Sequence, residues 1–536
     1  MKIILFVLLG ILAAVLVLTV LVVAGVIKPN QQEPTQAVTE TEPTTETEEE
    51  TTEYVETDPC VLGTHFPVTV PGIQPTCYEP GLSDKIVCEV CGFTLQGSEE
   101  LPATNHANRD VIEVSPFNTQ GIDYQAQFHC PDCDLTFFDS LTPKDLHMPI
   151  VDITGSFDGL NQWTKIYASM HYYGEDISFD CDTTLRIQGQ SSTLFPKLNY
   201  AIQFLESGTS GQKKLKVELF EGHKESKYVL KANYVDASAA RNVVAARIYK
   251  QIAETRDNGD PISQTDCKGV IDGFPVLVYH DGSFEGLYTL NMPRDNWVYE
   301  QKRGEEYRHA ALFSRRFVPS NYLRDHINWD NYDWKLEFDS TEEVPGIGTE
   351  WIADSFNSTI DKIRFYSDAQ FREQISEVVN VDRAIDCLIY TIFIAAYDNR
   401  CKNNLYLTYD GVQWALTMYD MDASFGLSFD GSHYFPPTFP VTNFTNGGTQ
   451  LYFRLYKLYF PEICARYKEL RKEVLTYGNV DRQFREFFDM IPTVCYDADF
   501  KRTPSIPQKR VDQYTQIMTF VAQRLEYLDG VFGYTP

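Results

Sequence analysis

Four side chains close together in this sequence have the types and spacing that chemistry requires. Asp398 and Asn403 stand in "IAAYDNRCKNNLYL", and Asp420 and Asp422 follow in "MYDMDASFG". Carboxylates and an amide oxygen are hard donors, suited to a hard divalent cation. Two carboxylates ~4 Å apart repel by about 4 kcal/mol at an effective dielectric near 20, or one of them takes up a proton. A cation removes that penalty. Magnesium fits best, because it is commonly held by one or two carboxylates together with the phosphates of a nucleotide.

The elements that must position these residues can be read from the pattern. Asp382 to Tyr397 carries apolar residues at 385, 388, 389, 392, 393 and 396, the spacing of a helix packed into a core, with Asp382 as its N-cap. "NLYLTY" and "VQWALTM" read as strands joined by Asp410-Gly411, a two-residue hairpin signal. In that register Tyr409 faces Val412, residue 403 faces 418, and Asp420 falls beside 401. The open end of the hairpin then gathers Asp398, Asn403, Asp420 and Asp422.

Further upstream, "DTTLRIQ" and "LNYAIQF" flank "GQSSTLFPK", two strands around a loop. Its backbone N–H groups near Gly189 and the hydroxyls of Ser191 and Ser192 could cradle phosphate oxygens, with Lys197 or Arg186 supplying positive charge. Ala237 to Ile252 reads as a helix. Lys197 and Lys231 are both candidates for a nucleotide-gripping lysine, and Glu254 lies late in the helix. "YHDGSFEGLYTL" is a second Asp-Gly hairpin, in which Gly286 allows close backbone approach. The stretch 300–345 shows no clear period.

An Asp, an Asn five residues later, a hairpin and then Asp-x-x-x-x-Phe-Gly is the order of parts in protein-kinase phosphotransfer sites. The blocks "LRIQGQSSTLFPKLNYAIQF", "YVLKANYVDASAARNVVAARIY", "GFPVLVYHDGSFEGLYTL" and "YDNRCKNNLYL…WALTMYDMDASFG" together resemble the spore-coat protein H (CotH) kinase family, over roughly residues 148 to 470. The most specific pieces are R-x-x-G-x-S-S with a following P-K, D-x-S-x-x-R-N and D-x-D-x-S-F-G. The resemblance implies an α+β, atypical protein-kinase-like two-lobed fold that transfers the phosphoryl group of ATP, with Mg2+ or Mn2+, to Ser or Thr of a protein. It also implies that Asp398 is the catalytic Asp, Asn403 a metal ligand, and Asp420 the metal Asp, with Asp422 as the alternative. "YDMDASFG" departs from D-F-G, and Ala396 and Tyr397 replace the His and Arg of H-R-D.

The expected organisation is a signal-anchor transmembrane helix at 1–29, an acidic linker at 30–58, and a Cys-rich, zinc-ribbon-like module at 59–147. An amino-terminal lobe at 148–300 and an insertion with a helical carboxyl-terminal lobe at 301–536 follow. The apolar run Ile3 to Ile27 is long enough to cross a bilayer. The Thr/Glu-rich segment after it cannot bury enough apolar surface to order itself. Cys88 and Cys91, then Cys130 and Cys133, form two C-x2-C knuckles that could close a structural zinc site. Residues 60 to 106 also resemble a Cys-rich module of bacterial surface proteins, in which Cys60, His65, Cys77 and His106 join Cys88 and Cys91. Disulfides are the competing outcome in an oxidising compartment.

A net charge of −29 argues against a nucleic-acid partner. The expected protein is a single-pass surface kinase with its main domain outside the cytoplasm; the alternative is a surface adhesion or interaction protein with a catalytically silent kinase-like fold.

Overall fold

The β-branched and aromatic runs upstream of residue 292 form strands, and the sequence after residue 349 is mostly helical. A computed structural model describes residues 60–536, apart from 61–62, 190, 210, 257–259, 305–310, 316–322, 330–333, 448 and 508–509. The apolar run at 3–27 and the acidic linker lie outside the described residues. Among the described residues no helix is long and apolar enough to cross a membrane.

Two units emerge. One, within 60–71 and 84–98, holds a three-stranded sheet of Pro67–Val70, Lys85–Cys88 and Thr94–Gln96. The other takes in 72–83 and 99–536. In this second body β1 (Asp110–Val114), β2 (Gln125–Cys130) and β3 (Leu135–Ser140) form a sheet. Its Val114, Ala126 and Phe128 share a core with the helices. The body therefore continues through the module boundary expected at 147.

Seven strands close a barrel: β4 (Ile150–Thr154), β5 (Ile166–Tyr173), β6 (Ser178–Gln188), β7 (Asn199–Leu205), β8 (Lys227–Lys231), β9 (Gly273–His280) and β10 (Ser283–Asn291). Around the barrel the order is β5-β6-β7-β8-β10-β9-β4. All pairings are antiparallel except β9 with β4. Tyr228, Leu230, Tyr288 and Leu290 fill its interior. The period of two then turns Val229, Lys231, Thr289 and Asn291 outward. Leu277, Tyr279 and Leu287 pack on the helical side, so β9 and β10 are covered on both faces, which accounts for the unbroken "FPVLVY". Their connection is the expected two-residue turn, with Asp281 and Gly282 at φ 49° and 72°, as a type I′ hairpin needs.

The stretch 300–345, which shows no period, supplies two more strands. β11 (Ala311–Arg315) and β12 (Trp334–Asp339) join β13 (Asn404–Thr408) and β14 (Ala415–Met418) in an antiparallel sheet of order β12-β11-β13-β14. The expected hairpin is present with a longer loop. Asp410 Oδ1 accepts from the N–H groups of Val412 and Gln413, so the loop runs from 409 to 414. This sets Asn404 against Met418, correcting the expected pairing of 403 with 418 by one residue. Extended past the ladder, the observed register places 419 against 403 and 420 against 402.

Behind the sheet lie α1 (Arg241–Glu254) and α2 (Val381–Phe393). The α2 cap is Asn380, whose side chain accepts from Arg383 N, not the expected Asp382. The carboxyl-terminal helical run breaks into Gln450–Leu458 and Phe460–Glu473, Pro461 being tolerated only in the first turn of the second helix. α3 (Thr493–Arg502) and α4 (Arg510–Phe532) complete the body.

Candidate active site

α2 ends at a buried apolar tip, and the chain reverses through Ala395 (φ 51°) into the short turn Tyr397–Asn399. Asp398 sits on this turn, 3.2 Å from the ammonium of Lys402. Beside it Asn399 is buried, and its Nδ2 donates to the carbonyls of Asn403 (3.1 Å) and Tyr419 (2.6 Å). One amide thus ties the turn to both strands at the open end of the hairpin. Ala395, Cys401, Asn403, Asp420 and Phe425 all have positive φ. Non-glycine residues reach that region at a cost of roughly 1–2 kcal/mol each, and such outliers gather at functional sites.

Asp420 and Asp422 follow β14 and meet Lys231, which projects from the outside of the barrel at the end of β8. Lys231 Nζ lies 2.5 Å from Asp420 Oδ1 and 3.5 Å from Asp422 Oδ2. Asn242, in the first turn of α1, accepts from Met421 N at 2.8 Å and holds the segment between the two acids.

The electrostatics separate the two carboxyl groups. Burial alone favours the neutral acid in both. At Asp420 the charges of Lys231, Arg294 and Lys402 override burial, and its pKa falls below the ordinary carboxylate value. At Asp422 burial prevails over Lys231, with the charges of Asp420 and Asp236 adding to it, and the pKa is pushed up to about 6. Burial disfavours the Lys231 ammonium, but Asp420 and Asp422 hold its pKa well above the usual lysine value. Lys402 links the halves of the site, since its ammonium touches Asp398 and its charge acts on Asp420.

A narrow cavity with room for about one water lies between barrel and sheet beside this cluster, lined by Gln188, Lys231, Asn291, Arg294, Tyr419 and Asp420 among others. Gln188 Oε1 and both amide atoms of Asn291 are buried without hydrogen-bond partners. Buried polar groups are nearly always satisfied, so unpartnered amide groups facing a cavity suit a polar ligand. Arg294 stacks 4.8 Å over the Tyr419 ring and pairs with Glu337 at 3.3 Å.

Gly189, Ser191 and Ser192 lie where β6 leaves the barrel, next to Gln188. Gly189 has φ 122°, and a Cβ there would meet Ser192 Oγ at 1.9 Å, which fixes glycine at this turn. Arg186 is on β6, two residues before Gln188 and on the same face. Lys197 departs from expectation: it does not line the cavity. Its Nζ donates to Leu287 O at 2.6 Å, pairs with Asp499 at 2.8 Å and lies 4.6 Å from the Tyr288 ring centre. It fastens α3 to β10, and burial pulls its pKa below the usual lysine value despite Asp499. Gly286 is approached closely by side chains rather than by another backbone, since a Cβ there would press on Lys197 Cε and Asp499 Oδ1.

The cysteine knuckles do not close on each other. Cys88 and Cys91 group with Cys60 and His65, while Cys130 and Cys133 group with Cys77 and His106, the ligand atoms of each group lying within 4.8 Å of one another. Each group already holds four donors, the number a tetrahedral ion takes, which replaces the expected single set of Cys88, Cys91, Cys130 and Cys133.

Asn399, Lys402, Asn291, Gln188 and Arg294 escape the motif reading. For Asn291 a signal exists: the alternation along "YTLN" places it outward like Lys231, but only knowledge that β8 pairs with β10 brings the two together.

Residues 185–528 match the family model described as CotH kinase protein. The match covers well over half of the sequence, so the chain belongs to the CotH family. A comparison with curated proteins gives no match.

Proposed function

We propose that the chain is a protein kinase that uses ATP and a divalent ion to phosphorylate Ser or Thr of a protein. The observation that supports this best is the meeting of Asp420 and Asp422 on Lys231, with Lys231 and Asp420 lining a cavity that also holds unpartnered amide atoms, next to the Asp398 turn. We read the barrel and the helical body as the two lobes, with the nucleotide between them. Asp420 and Asn403, with Asp422, would hold Mg2+ or Mn2+, and the bound ion would neutralise charge on the phosphate oxygens.

The chain's own groups divide the remaining work. Asp398 accepts the proton of the incoming hydroxyl as its oxygen bonds to the terminal phosphorus and the bond to the departing ADP oxygen breaks. Lys402 orients Asp398 through their 3.2 Å ion pair. Lys231 meets phosphate oxygens with the ammonium that pairs Asp420. The backbone around Gly189 and the hydroxyls of Ser191 and Ser192 line the approach, with Arg186 adding charge. Asn291 and Gln188 offer donors and acceptors to the base or sugar. With the apolar run at 3–27 as a single-pass anchor, this body would sit outside the cytoplasm.

The test is transfer of label from γ-labelled ATP to an acidic, Ser-rich protein by the full chain, with and without magnesium. Metal-dependent labelling lost in Asp398→Ala is the expected result. Binding of the acceptor without transfer or nucleotide binding would instead support the adhesion reading.

A further inference from the structure

We infer that the Cys/His groups are two separate structural zinc sites, one formed by Cys60, His65, Cys88 and Cys91 and the other by Cys77, His106, Cys130 and Cys133. In the first, Cys60 Sγ lies 3.5 Å from Cys88 Sγ, and Cys91 Sγ 3.5 Å from His65 Nδ1. In the second, Cys77 Sγ lies 3.6 Å from Cys130 Sγ, and Cys133 Sγ 3.4 Å from His106 Nδ1. A tetrahedral zinc with Zn–S near 2.3 Å and Zn–N near 2.0–2.1 Å separates two sulfurs by about 3.8 Å and a sulfur from a nitrogen by about 3.6 Å. One S–S and one S–N edge of each group come close to those of such a tetrahedron, and all four ligand atoms of each group lie within 4.8 Å of one another.

The backbone repeats as well. Gly92 N donates to Cys88 O at 2.8 Å, and Asp134 N donates to Cys130 O at 2.8 Å. Both donors follow the second cysteine of a knuckle and both have positive φ, 71° and 60°. Phe66 N further donates to Cys88 Sγ at 3.4 Å, the kind of bond that favours a thiolate. Three thiols and one imidazole per group leave an odd sulfur, so disulfides within a group cannot use all the cysteines. Soft thiolates with imidazole select zinc, and four protein donors leave no open position for catalysis.

Among its described residues the smaller unit has a three-stranded sheet but almost no apolar core. Cys88 is its one buried residue among those described, while Phe66, Val68, Val90, Phe93 and Leu95 are exposed. So small a unit without an apolar core needs a covalent or metal staple. Along the chain the ligands alternate: Cys60 and His65 serve the first site, Cys77 the second, Cys88 and Cys91 the first, and His106, Cys130 and Cys133 the second. Each ion therefore closes a loop that contains a ligand of the other.

The test is elemental analysis of the full chain purified under reducing conditions, with X-ray absorption at the zinc edge. Two zinc ions per chain in an average shell of three sulfurs and one nitrogen are expected. Cys91→Ser and Cys133→Ser should each lose one ion. His65→Cys, which keeps four donors, should retain both and guards against loss through misfolding alone. Zinc-free protein whose intact mass is lowered by disulfide formation, iron in place of zinc, or two ions persisting in Cys91→Ser would each overturn the assignment.

Discussion

Lys231 and Asp420 form a short ion pair, 2.5 Å from Nζ to Oδ1, between the outer face of the barrel and the end of the hairpin. The pair joins the two halves of the site, and with Asp422 at 3.5 Å it offsets the repulsion of two neighbouring carboxylates. A buried ammonium facing two acids keeps them together.

Replacing Lys231 by Met should lower kcat/KM for phosphotransfer by about 100-fold or more, the effect of losing one preorganised charge stabiliser. The variant should also melt at lower temperature, and magnesium should restore part of the loss by neutralising Asp420 and Asp422. Steady-state kinetics and thermal melts with and without magnesium check both effects; an unchanged kcat/KM would remove Lys231 from the site.

The pKa of Asp422, pushed up to about 6 from 3.8 mainly by burial, gives a pH signature. Between those values the folded chain holds a proton that the unfolded chain has released. Stability from this group is therefore fully present below about pH 4 and is lost as pH rises through about 6. Asp422→Asn should flatten that part of the profile, measured as urea midpoints between pH 4.5 and 7.5 without divalent ions. A wild-type slope that survives the substitution assigns the proton elsewhere.

Asn399→Ala should destabilise the chain by about 1–3 kcal/mol, because the Asn403 and Tyr419 carbonyls lose a buried donor. The fall should appear chiefly in kcat, since the turn carrying Asp398 loses its tie to the hairpin. Denaturant titration alongside kinetics separates the two. Native stability in this variant would show that the clamp is dispensable.

Lys197→Met distinguishes a structural lysine from a nucleotide-binding one. Leaving buried Asp499 with the Leu287 N–H but without the Lys197 charge should cost roughly 3–5 kcal/mol, while the KM for ATP stays within about twofold in protein that remains folded. Gly286→Ala should behave alike, since its Cβ would lie 2.7 Å from Asp499 Oδ1 and Lys197 Cε. A large rise in KM for ATP in Lys197→Met with normal stability would return Lys197 to the phosphate site.

Local signals were strong where the chain's own geometry decides. The Asp281-Gly282 turn, the helix before Asp398 and the strands flanking Gly189 all follow from spacing and residue type. The hairpin at 404–418 was legible as an element, but its register was not, because the Asp410 side chain stabilises a longer loop than Asp-Gly predicts. Long-range partners left little local trace. Lys197 and Lys231 look equivalent as buried basic residues near strands, and only the approach of α3 gives Asp499 to the first and leaves the second for Asp420. The cysteine knuckles were visible, yet their partners at 60, 65, 77 and 106 depend on loop closure that spacing cannot rank.

The most direct measurement is thermal unfolding of the full chain with a non-hydrolysable ATP analogue and magnesium, singly and together. Both ligands together should raise the midpoint, with about 2.7 kcal/mol of stabilisation at 100 times Kd, and Asp420→Asn should abolish the joint effect. Protection by neither, or protection as strong in Asp420→Asn as in the wild type, would contradict a metal-nucleotide site built on Asp420.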